Sequence, residues 1–532
     1  MEIYLDANAT TPVIPEARAA ALFAMADDFG NPSSVHSAGL KARAIVDAAR
    51  AAARRVLDAG KGRLLFTSGA TEGIQTAVLS ALTALRERRD AGADIPALIL
   101  YGATEHKAVP QAIAHWNALL GLNLEVQAIP VGRDGRHDLA WLCARAPRAG
   151  LVCTMAANNE TGVISDLDGI AAALAGGPAL WLVDGVQALG KLALRLAERP
   201  IDYAPFSGHK LYAPKGVGLL YVREGAPFTP LIVGGGQEDA LRSGTENMAG
   251  IAAFGAVLAA LEGGQRFQDA ATLAVFRDRL AAALAEAFPG LVFNAPPELC
   301  LPTTLNFAVP GVASNLLLDL FDAAEIRVSA GSACGAAKAR PSDVLEAMGL
   351  PAAQTAAAVR LSFGPVVDAD FIAEACARLL ACGAALRDSA APGRPATGAG
   401  RAAPARADTA GDAPDGVALG GAALIAVLAA KTWVVDVREP YEQKLGLCPE
   451  LGPGARYLAV PLSQLDARLP ELLALDADAA LLCFCRSGRR SAEAARALRR
   501  EGRPRAWSLA GGLALWTGPL TPAPSLEPGE VA

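Results

Sequence analysis

Several patterns that would place a chain in or on a membrane are missing from this sequence. None of its 532 residues lie in an apolar stretch long enough to cross a bilayer, which argues against a membrane-spanning protein. The net charge is −6 and neither sign forms a long run, so neither nucleic acid nor an anionic membrane is an expected partner. The opening residues, MEIYLDANATT, lack a basic region followed by an apolar one, so we expect no secretion signal.

The cysteines also lack an organised spacing. There are nine of them, none arranged as C-x-x-C, and Cys483 and Cys485 form the only close pair. This scatter argues against a disulfide framework and against a zinc site, so we expect no metal. Free thiols fit a reducing compartment, and the prediction is therefore a cytoplasmic protein.

The chain is too long for one hydrophobic core, so two or three domains are expected. Residues 388–416 consist mainly of Ala, Pro, Gly and Arg and carry almost no large apolar side chain. Such a segment cannot bury enough surface to order itself, and we interpret it as a flexible linker. It separates residues 1–387 from a C-terminal domain at 417–520, which a tail at 521–532 follows.

Before the linker, short apolar runs alternate with helical patterns, which predicts a doubly wound α/β domain with a mostly parallel sheet. Its chemistry should lie at the carboxyl ends of the strands. We assign this large domain to about 15–262, and a smaller α+β domain to 1–14 and 263–387. The predicted strands are 63–67, 97–101, 150–155, 180–184, 202–206 and 217–222. After the linker, strands at 432–438 and 480–484 alternate with helices, which predicts a small α/β sheet domain.

Polar residues follow several of these strands. Lys210 lies just past one strand, where a lysine can form a Schiff base with a carbonyl cofactor. Asp184 ends another strand and would need a cationic partner if buried, and His106 starts a helix. The turn 67-TSGATEG-73 joins a strand to a helix, and its backbone N–H groups suit a phosphate. A lone lysine is usually a surface residue, but this combination predicts a cofactor site.

A series of short motifs runs in order along residues 3–386, and the series is more specific than any one motif: 5-LDANATTP-12, 30-GNPSSVHSAG-39, 67-TSGATE-72, 104-TEHKAV-109, 158-NNETGV-163, 184-DGVQALGK-191, 206-FSGHKLYAPKGVG-218, 234-GGGQE-238, 241-LRSGTEN-247, 330-AGSAC-334 and 359-VRLSFG-364. Together they resemble the class V enzymes of fold type I that depend on pyridoxal 5′-phosphate, and among these the cysteine desulfurases.

The resemblance implies roles around the cofactor ring. Lys210 would bind the cofactor covalently and later move protons. Asp184 would pair with the pyridinium nitrogen, Gln187 would hydrogen-bond the ring hydroxyl, and His106 would stack on the ring and act as an acid or base.

The resemblance also implies a phosphate site and a substrate site. Thr245 would reach the phosphate of a neighbouring subunit, which predicts a homodimer. Asn159 would contact the cofactor and, with Arg360, orient the substrate, Arg360 by clamping its carboxylate; taken alone, Arg360 could equally form a salt bridge within the small domain. The phosphate would be held by Ala70, Thr71, Ser207 and His209.

Cys334 separates the desulfurases from their aminotransferase relatives. It lies in a small, polar, glycine-containing segment that predicts a mobile loop, where Lys338 and Arg340 could help to hold a thiolate. The implied reaction converts L-cysteine to L-alanine and leaves a persulfide on Cys334. Two departures, 73-GIQ-75 and Asp343, leave substrate preference and acceptor choice open but touch no residue with an assigned role.

The C-terminal domain has a cysteine site of its own. In 485-CRSGRRS-491 the cysteine follows a strand and precedes a helix, where backbone N–H groups of residues 486–490 can form an anion nest. We expect Arg486, Arg489 and Arg490 to lower the pKa of the Cys485 thiol. Cys483 is interpreted as a core residue. The loop also contains Ser487 and Gly488.

A phosphatase loop would place its arginine six positions after the cysteine, but Ser491 stands there and the arginine, Arg490, is at the fifth position. This spacing argues against a phosphatase and indicates a shorter loop. The shorter loop, with 432-TWVVDVREPYE-442 and 509-LAGGLALW-516, resembles a single rhodanese domain over about 417–518. Asp436, Arg438, Glu439 and Glu442 match its DVRE-x-x-E pattern. Residues 446–461 depart from the family by an insertion, which leaves the loop entrance open and Cys448 without a role.

The combined hypothesis is a fused sulfur-mobilising enzyme that passes sulfur from Cys334 to Cys485 and on to an acceptor. A linker of about 28 residues spans roughly 30 Å r.m.s., and it gives an effective concentration on the order of millimolar. The expected acceptors are an iron–sulfur scaffold, a sulfur carrier or a tRNA-thiolation enzyme. The alternative is a selenocysteine lyase or related class V enzyme whose rhodanese domain is only a docking module.

Overall fold

The structure is a computed structural model that describes residues 2–330, 342–389, 416–428, 432–451 and 455–522. Cys334 with its neighbours Lys338 and Arg340, and most of the predicted linker, lie outside the described residues. Within the described ranges, no helix is long and apolar enough to span a membrane.

The large domain is built on one mixed sheet of seven strands. Strand β1 precedes it in the chain but belongs to the small domain. The elements up to residue 263 are β1 (Ile3–Tyr4), α1 (Pro15–Ala26), α2 (Ser37–Val56), β2 (Arg63–Thr67), α3 (Ala70–Asp90), β3 (Leu98–Gly102), α4 (Ala108–Leu119), β4 (Glu125–Ile129), α5 (Leu139–Arg145), β5 (Ala149–Met155), α6 (Leu167–Leu174), β6 (Leu180–Asp184), β7 (Tyr203–Ser207), β8 (Gly218–Val222) and α7 (Met248–Gly263).

The strand order is β2-β8-β7-β6-β5-β3-β4. The sheet is mostly parallel, as predicted, and β8 runs antiparallel to both of its neighbours, β2 and β7. Every residue of β5, β7 and β8 is buried because helices cover both faces. One apolar cluster lies on each face of the sheet. The carboxyl ends of the parallel strands β5 and β6, including Asp184, therefore lie side by side at one end of the strands.

The small domain combines the N-terminal segment with residues after 263. Strand β1 pairs in parallel with β11, which brings residues 3–4 beside 326–327. A separate antiparallel sheet has the order β12-β10-β9. The elements are α8 (Ala270–Ala287), β9 (Val292–Phe293), β10 (Thr304–Ala308), α9 (Ser314–Ala323), β11 (Ile326–Arg327), α10 (Asp343–Ala347), α11 (Ala352–Ala356), β12 (Ala358–Ser362) and α12 (Ala369–Ser389).

The C-terminal domain has a parallel sheet of order β13-β18-β17-β14-β16 and a short antiparallel pair of β15 with β19. Its buried apolar residues form one cluster on each side of the sheet. The elements are β13 (Ala418–Leu419), α13 (Gly421–Leu428), β14 (Thr432–Asp436), α14 (Pro440–Leu445), β15 (Leu447–Pro449), β16 (Ala455–Ala459), α15 (Leu465–Ala474), β17 (Ala480–Phe484), α16 (Arg489–Arg500), β18 (Ala506–Leu509) and β19 (Leu520–Pro522).

The C-terminal domain packs directly on the small domain. Helix α14 lies against α9 and α12. Tyr441 is buried within the apolar cluster of the small domain, and Leu445 packs against the same cluster. Lys444 Nζ lies 3.7 Å from Asp388 Oδ2, in the last turn of α12, so this helix continues into the segment predicted as linker.

Candidate active sites

Lys210 lies in a short 3₁₀ turn, Gly208–Lys210, directly after β7. Its Nζ donates hydrogen bonds to the backbone oxygens of Asn8 (2.7 Å) and Ala9 (2.8 Å). The N-terminal segment is held there because the Thr11 N–H donates to the backbone oxygen of His209 at 2.9 Å. The amine is thus positioned by a segment about 200 residues away in sequence.

Asp184 lies buried at the carboxyl end of β6, where its Oδ1 accepts the Val186 backbone N–H at 3.0 Å. Burial raises the pKa of Asp184, and the nearby charges of His106 and Lys210 oppose this rise. The three predicted side chains are therefore brought together. The His106 ring is exposed, and its Nδ1 accepts the Ala108 N–H at 3.2 Å, which puts the proton of the neutral ring on Nε2.

A second carboxyl group lies behind Asp184 and was not predicted. Glu105 is buried, and its Oε1 accepts the Met155 N–H at 2.5 Å, whereas its Oε2 has no partner among the described residues. Burial and then the charge of Asp184 raise the pKa of Glu105 well above its ordinary value. Burial therefore favours the protonated form of Glu105. The signal in the sequence was its place next to His106.

Asn8 and Lys191 complete a hydrogen-bond network that sequence reasoning missed. Gln187 Nε2 donates to the Asn8 backbone oxygen at 3.1 Å, and its Oε1 accepts from Lys191 Nζ at 2.9 Å. Lys191 Nζ also donates to Asn8 Oδ1 at 3.2 Å. Asn8 thus contacts both lysines, since Lys210 binds its backbone oxygen. Both residues lie in motifs already noted, 5-LDANATTP-12 and 184-DGVQALGK-191.

The predicted phosphate residues meet where β7 ends and α3 begins. Helix α3 starts at Ala70 without a side-chain cap, which leaves its first N–H groups for another partner. Ser207 is buried at the end of β7, and Gly218 must be glycine because a Cβ there would lie 2.6 Å from Gly69 Cα. Burial, followed by the charges of Lys210 and Lys215, lowers the pKa of His209 to about 4.

Arg360 is buried on β12 and is held by two partners. Its Nη1 donates to the Asn159 backbone oxygen at 3.1 Å, and its Nη2 forms an ion pair with Asp6. The Nε atom is buried and has no partner among the described residues. The Nε–Nη2 edge, which binds carboxylates in a bidentate manner, therefore has one open donor and one that Asp6 takes.

These residues fit pyridoxal phosphate. A buried carboxylate, an amine in a strand-end turn, an exposed imidazole and an uncapped helix N-terminus correspond to the ring nitrogen, aldehyde, ring face and phosphate of that molecule. Lys210 would hold it covalently, Asp184 and Gln187 would bind its ring, and the start of α3 with Thr71, Ser207 and His209 would bind its phosphate.

Replacing Lys191 should change the electrostatics of Lys210. Burial, then the charges of Lys210 and Arg360, lower the pKa of Lys191 to about 7. The coupling is mutual, so Lys191→Met should raise the pKa of the Lys210 nitrogen by about one unit. The measurement is a pH titration of the visible absorbance of the bound cofactor. Lys191→Arg places a permanent charge at this position, so its midpoint should lie at or below that of wild type; an unchanged midpoint in Lys191→Met would contradict the coupling.

Cys485 follows β17 and is fully buried. Its Sγ accepts the Gly488 N–H at 3.2 Å and the Ser491 N–H at 3.4 Å, so the described donors include one residue beyond the predicted 486–490 nest. Gly488 has a φ of 85° at the N-cap of α16, a left-handed conformation that favours glycine. These N–H groups at the start of α16 therefore surround the sulfur with hydrogen-bond donors.

Two of the three arginines in the Cys485 loop, Arg486 and Arg490, are bound by carboxylates. Arg490 forms a bidentate pair with Glu442, at 2.6 and 2.7 Å, and Arg486 pairs with Asp319 of the small domain at 2.9 Å. Glu442 also belongs to a capping box that starts α14. The arginine side chains therefore organise the loop and its surroundings.

The other C-terminal cysteines are structural. Cys483 is fully buried on β17 as predicted, and burial, then the charge of Cys485, raise its pKa to about 12. Cys448 lies on β15, 3.6 Å from Arg438 Nη2, and burial followed by Asp436 raises its pKa to about 12. Residues 446–461, which depart from the family pattern, supply β15 and the core-lining strand β16.

Known proteins resemble the two parts of the chain separately. The Aminotransferase class-V family model matches residues 3–373 and the Rhodanese-like domain model matches residues 422–518. The cysteine desulfurase of Cereibacter sphaeroides is 39% identical over 362 residues, which cover 68% of this chain and 90% of that protein. Cysteine desulfurase NifS of Azotobacter vinelandii is 35% identical over 365 residues, covering 68% and 87%.

Solved structures resemble the larger part of the chain. A NifS-like protein superposes with a TM-score of 0.62 at 30% identity and covers 71% of this chain and 98% of that one. DndA from Streptomyces lividans gives a TM-score of 0.56 at 34% identity, with coverages of 68% and 99%. The chain therefore belongs to the class V aminotransferase family that depends on pyridoxal phosphate, among the cysteine desulfurases, and it carries a C-terminal rhodanese-like domain.

Proposed function

We propose that this chain moves the sulfur of L-cysteine to Cys334, with L-alanine as the second product, and relays it through Cys485 to an acceptor protein. The observation that carries the first half is the buried Asp184 carboxylate next to Lys210 and His106. The second half is supported by the hydrogen bonds that the Cys485 sulfur accepts from the backbone N–H groups of Gly488 and Ser491.

In the first half, pyridoxal phosphate supplies an electron sink for the substrate carbons when it is bound. The Lys210 amine takes and returns protons, and the Nε2–H of His106 is the second proton donor at the ring face. The substrate carboxylate takes the place of Asp6 on the Nε–Nη2 edge of Arg360. Arg360 thus fixes the orientation of the substrate.

The sulfur steps need no oxidant. The Cys334 thiolate attacks the substrate sulfur, the substrate Cβ–S bond breaks, and Cβ gains a proton to become the methyl group of alanine. The Cys485 thiolate then attacks the outer sulfur of the Cys334 persulfide, and Cys334 leaves as a thiolate. One S–S bond forms and one breaks in this second step.

The proposal includes a homodimer in the cytoplasm. Thr245 is exposed, which suits a residue that contacts the phosphate of a second subunit. The acceptor is a protein that takes sulfane sulfur, such as an iron–sulfur scaffold, a sulfur carrier or a tRNA-thiolation enzyme.

The test is persulfide mapping by mass spectrometry after L-cysteine is added to the reduced holoenzyme. Wild type should carry sulfur on Cys334 and Cys485, and Cys485→Ser should keep it on Cys334 alone. In Cys334→Ala neither site should be labelled. Sulfur on Cys485 of Cys334→Ala, with no other donor present, would refute the relay. Alanine release from cysteine, selenocysteine and cysteine sulfinate compares the competing substrates, and a preference for selenocysteine would overturn the proposed one.

A further inference from the structure

Two arginines of the Cys485 loop form ion pairs with carboxylates of the small domain. Arg486 Nη1 lies 2.9 Å from Asp319 Oδ1, and Arg486 Nε lies 3.0 Å from Asp322 Oδ2. Arg490 Nη2 lies 3.3 Å from Asp319 Oδ2. Arg486 and Arg490, one and five positions after Cys485, therefore both bind the same helix, α9.

The two carboxylates belong to one face of α9, because residues three apart are neighbours on a helix. Both are partly buried, with side-chain exposures of 25% for Asp319 and 22% for Asp322. Burial raises the pKa of Asp319, although Arg490 and Arg486 oppose the rise. Ion pairs that are partly removed from water are screened less by salt than exposed pairs. The acidic face is thus a contact surface and not a solvated one.

An apolar contact lies beside the ion pairs. Tyr441, on α14, is 7% exposed and belongs to the apolar cluster of the small domain, and Leu445 packs against that cluster. Lys444 and Asp388 add a charged pair at 3.7 Å. An apolar contact combined with complementary charges fixes the relative orientation of two surfaces, which a flexible linker alone does not do.

Chain length places this contact near the desulfurase cysteine. Asp322 also forms an ion pair with Arg327, the last residue of β11. Cys334 follows Arg327 by seven residues, so it lies within about 25 Å of that strand end whatever its conformation. The Cys485 loop is therefore bound to the part of the small domain from which the Cys334 segment departs.

We infer that Asp319 and Asp322 form an acidic docking surface that orients the Cys485 loop of the rhodanese-like domain for sulfur delivery from the desulfurase. This inference rests on the proposed relay and adds the surface that directs it. The ion pairs use the arginines that flank the sulfur acceptor, so the surface selects the loop itself and not merely the domain.

The test is the initial rate at which Cys485 gains sulfur when L-cysteine is added to the reduced holoenzyme. Asp319→Lys places an ammonium against Arg486 and Arg490, and the rate should fall by at least about tenfold. Alanine release with dithiothreitol as acceptor should stay unchanged. Asp278→Lys, whose carboxylate on α8 pairs with its neighbour Arg277, is the matched control and should keep the wild-type rate.

The possible outcomes separate the two proposals. A wild-type or faster rate in Asp319→Lys would overturn the docking surface and leave the relay intact. Wild-type enzyme that never carries sulfur on Cys485 would instead refute the relay. If Asp319→Lys does not fold, the double variant Asp319→Asn with Asp322→Asn removes the same charges without reversal, and the same loss of rate is expected.

Discussion

Lys210→Ala should lower the rate of alanine release by on the order of 10³–10⁴-fold, because it removes both the covalent link to the cofactor and the proton-transferring amine. The Lys210 Nζ is fixed by the backbone oxygens of Asn8 and Ala9, so no other described group takes its position without rearrangement. The variant should also lose the visible absorbance band of the covalently bound cofactor. Steady-state kinetics and absorbance spectra measure the two effects.

A control is needed because Lys210 also holds the N-terminal segment. Lys61→Ala removes an exposed lysine that precedes β2, away from the carboxyl ends of the strands, and should leave activity and spectrum unchanged. Retention of the covalent absorbance band in Lys210→Ala would show that another lysine carries the cofactor, and Lys191 would then be the candidate.

Asp184→Asn should lower turnover by about 10²–10³-fold, because a preorganised charge is lost at the ring of the cofactor. The same change should raise the melting temperature of the cofactor-free protein at neutral pH. Burial raises the pKa of Asp184, so this carboxyl favours folding when protonated and opposes it as pH rises through the folded pKa. An amide stays uncharged throughout that range. Activity assays and thermal unfolding of both forms provide the measurements.

The pH dependence distinguishes this explanation from a general packing effect. The stability difference between Asp184→Asn and wild type should be smallest at acidic pH, where the carboxyl is protonated, and should grow as the carboxyl ionises. A difference that does not change with pH would argue against the electrostatic cause. Asp278→Asn, an exposed carboxylate on α8, should show neither effect.

Strands with dense apolar side chains could be predicted from the sequence, and a strand with exposed side chains could not. The predicted bounds 63–67, 180–184 and 480–484 match β2, β6 and β17. In contrast β4 was missed because it exposes Glu125 and Val126, whereas β2, at the other edge of the sheet, has four of its five residues buried. Apolar content marks a strand only when both of its faces are covered.

Helix α14 was not predicted from the sequence, although its start signals are present. Glu439 and Glu442 form a capping box around Pro440 at the first position of the helix. A helix of six residues has too little apolar periodicity to be recognised. The capping box and Pro440 alone would have identified the start of this helix.

The parts of the sites that could not be predicted are those that join distant segments. Asn8 meets Gln187 and Lys191 across about 180 residues, and Asp319 meets Arg486 across 167. Charge and polarity in the sequence show that such groups need partners, but they do not identify the partner. The pairing depends on β1 lying beside β11 and on α14 lying against α9, which are properties of the whole fold.

The burial of Tyr441 in the small-domain cluster also has a thermodynamic consequence. Two domains that share apolar contacts unfold cooperatively, since neither can open without exposing surface of the other. Cofactor binding near Lys210 stabilises the folded desulfurase by mass action, and part of that free energy is transmitted through the shared cluster. The melting of the domain that carries Cys485 should therefore report whether a cofactor that it never touches is bound.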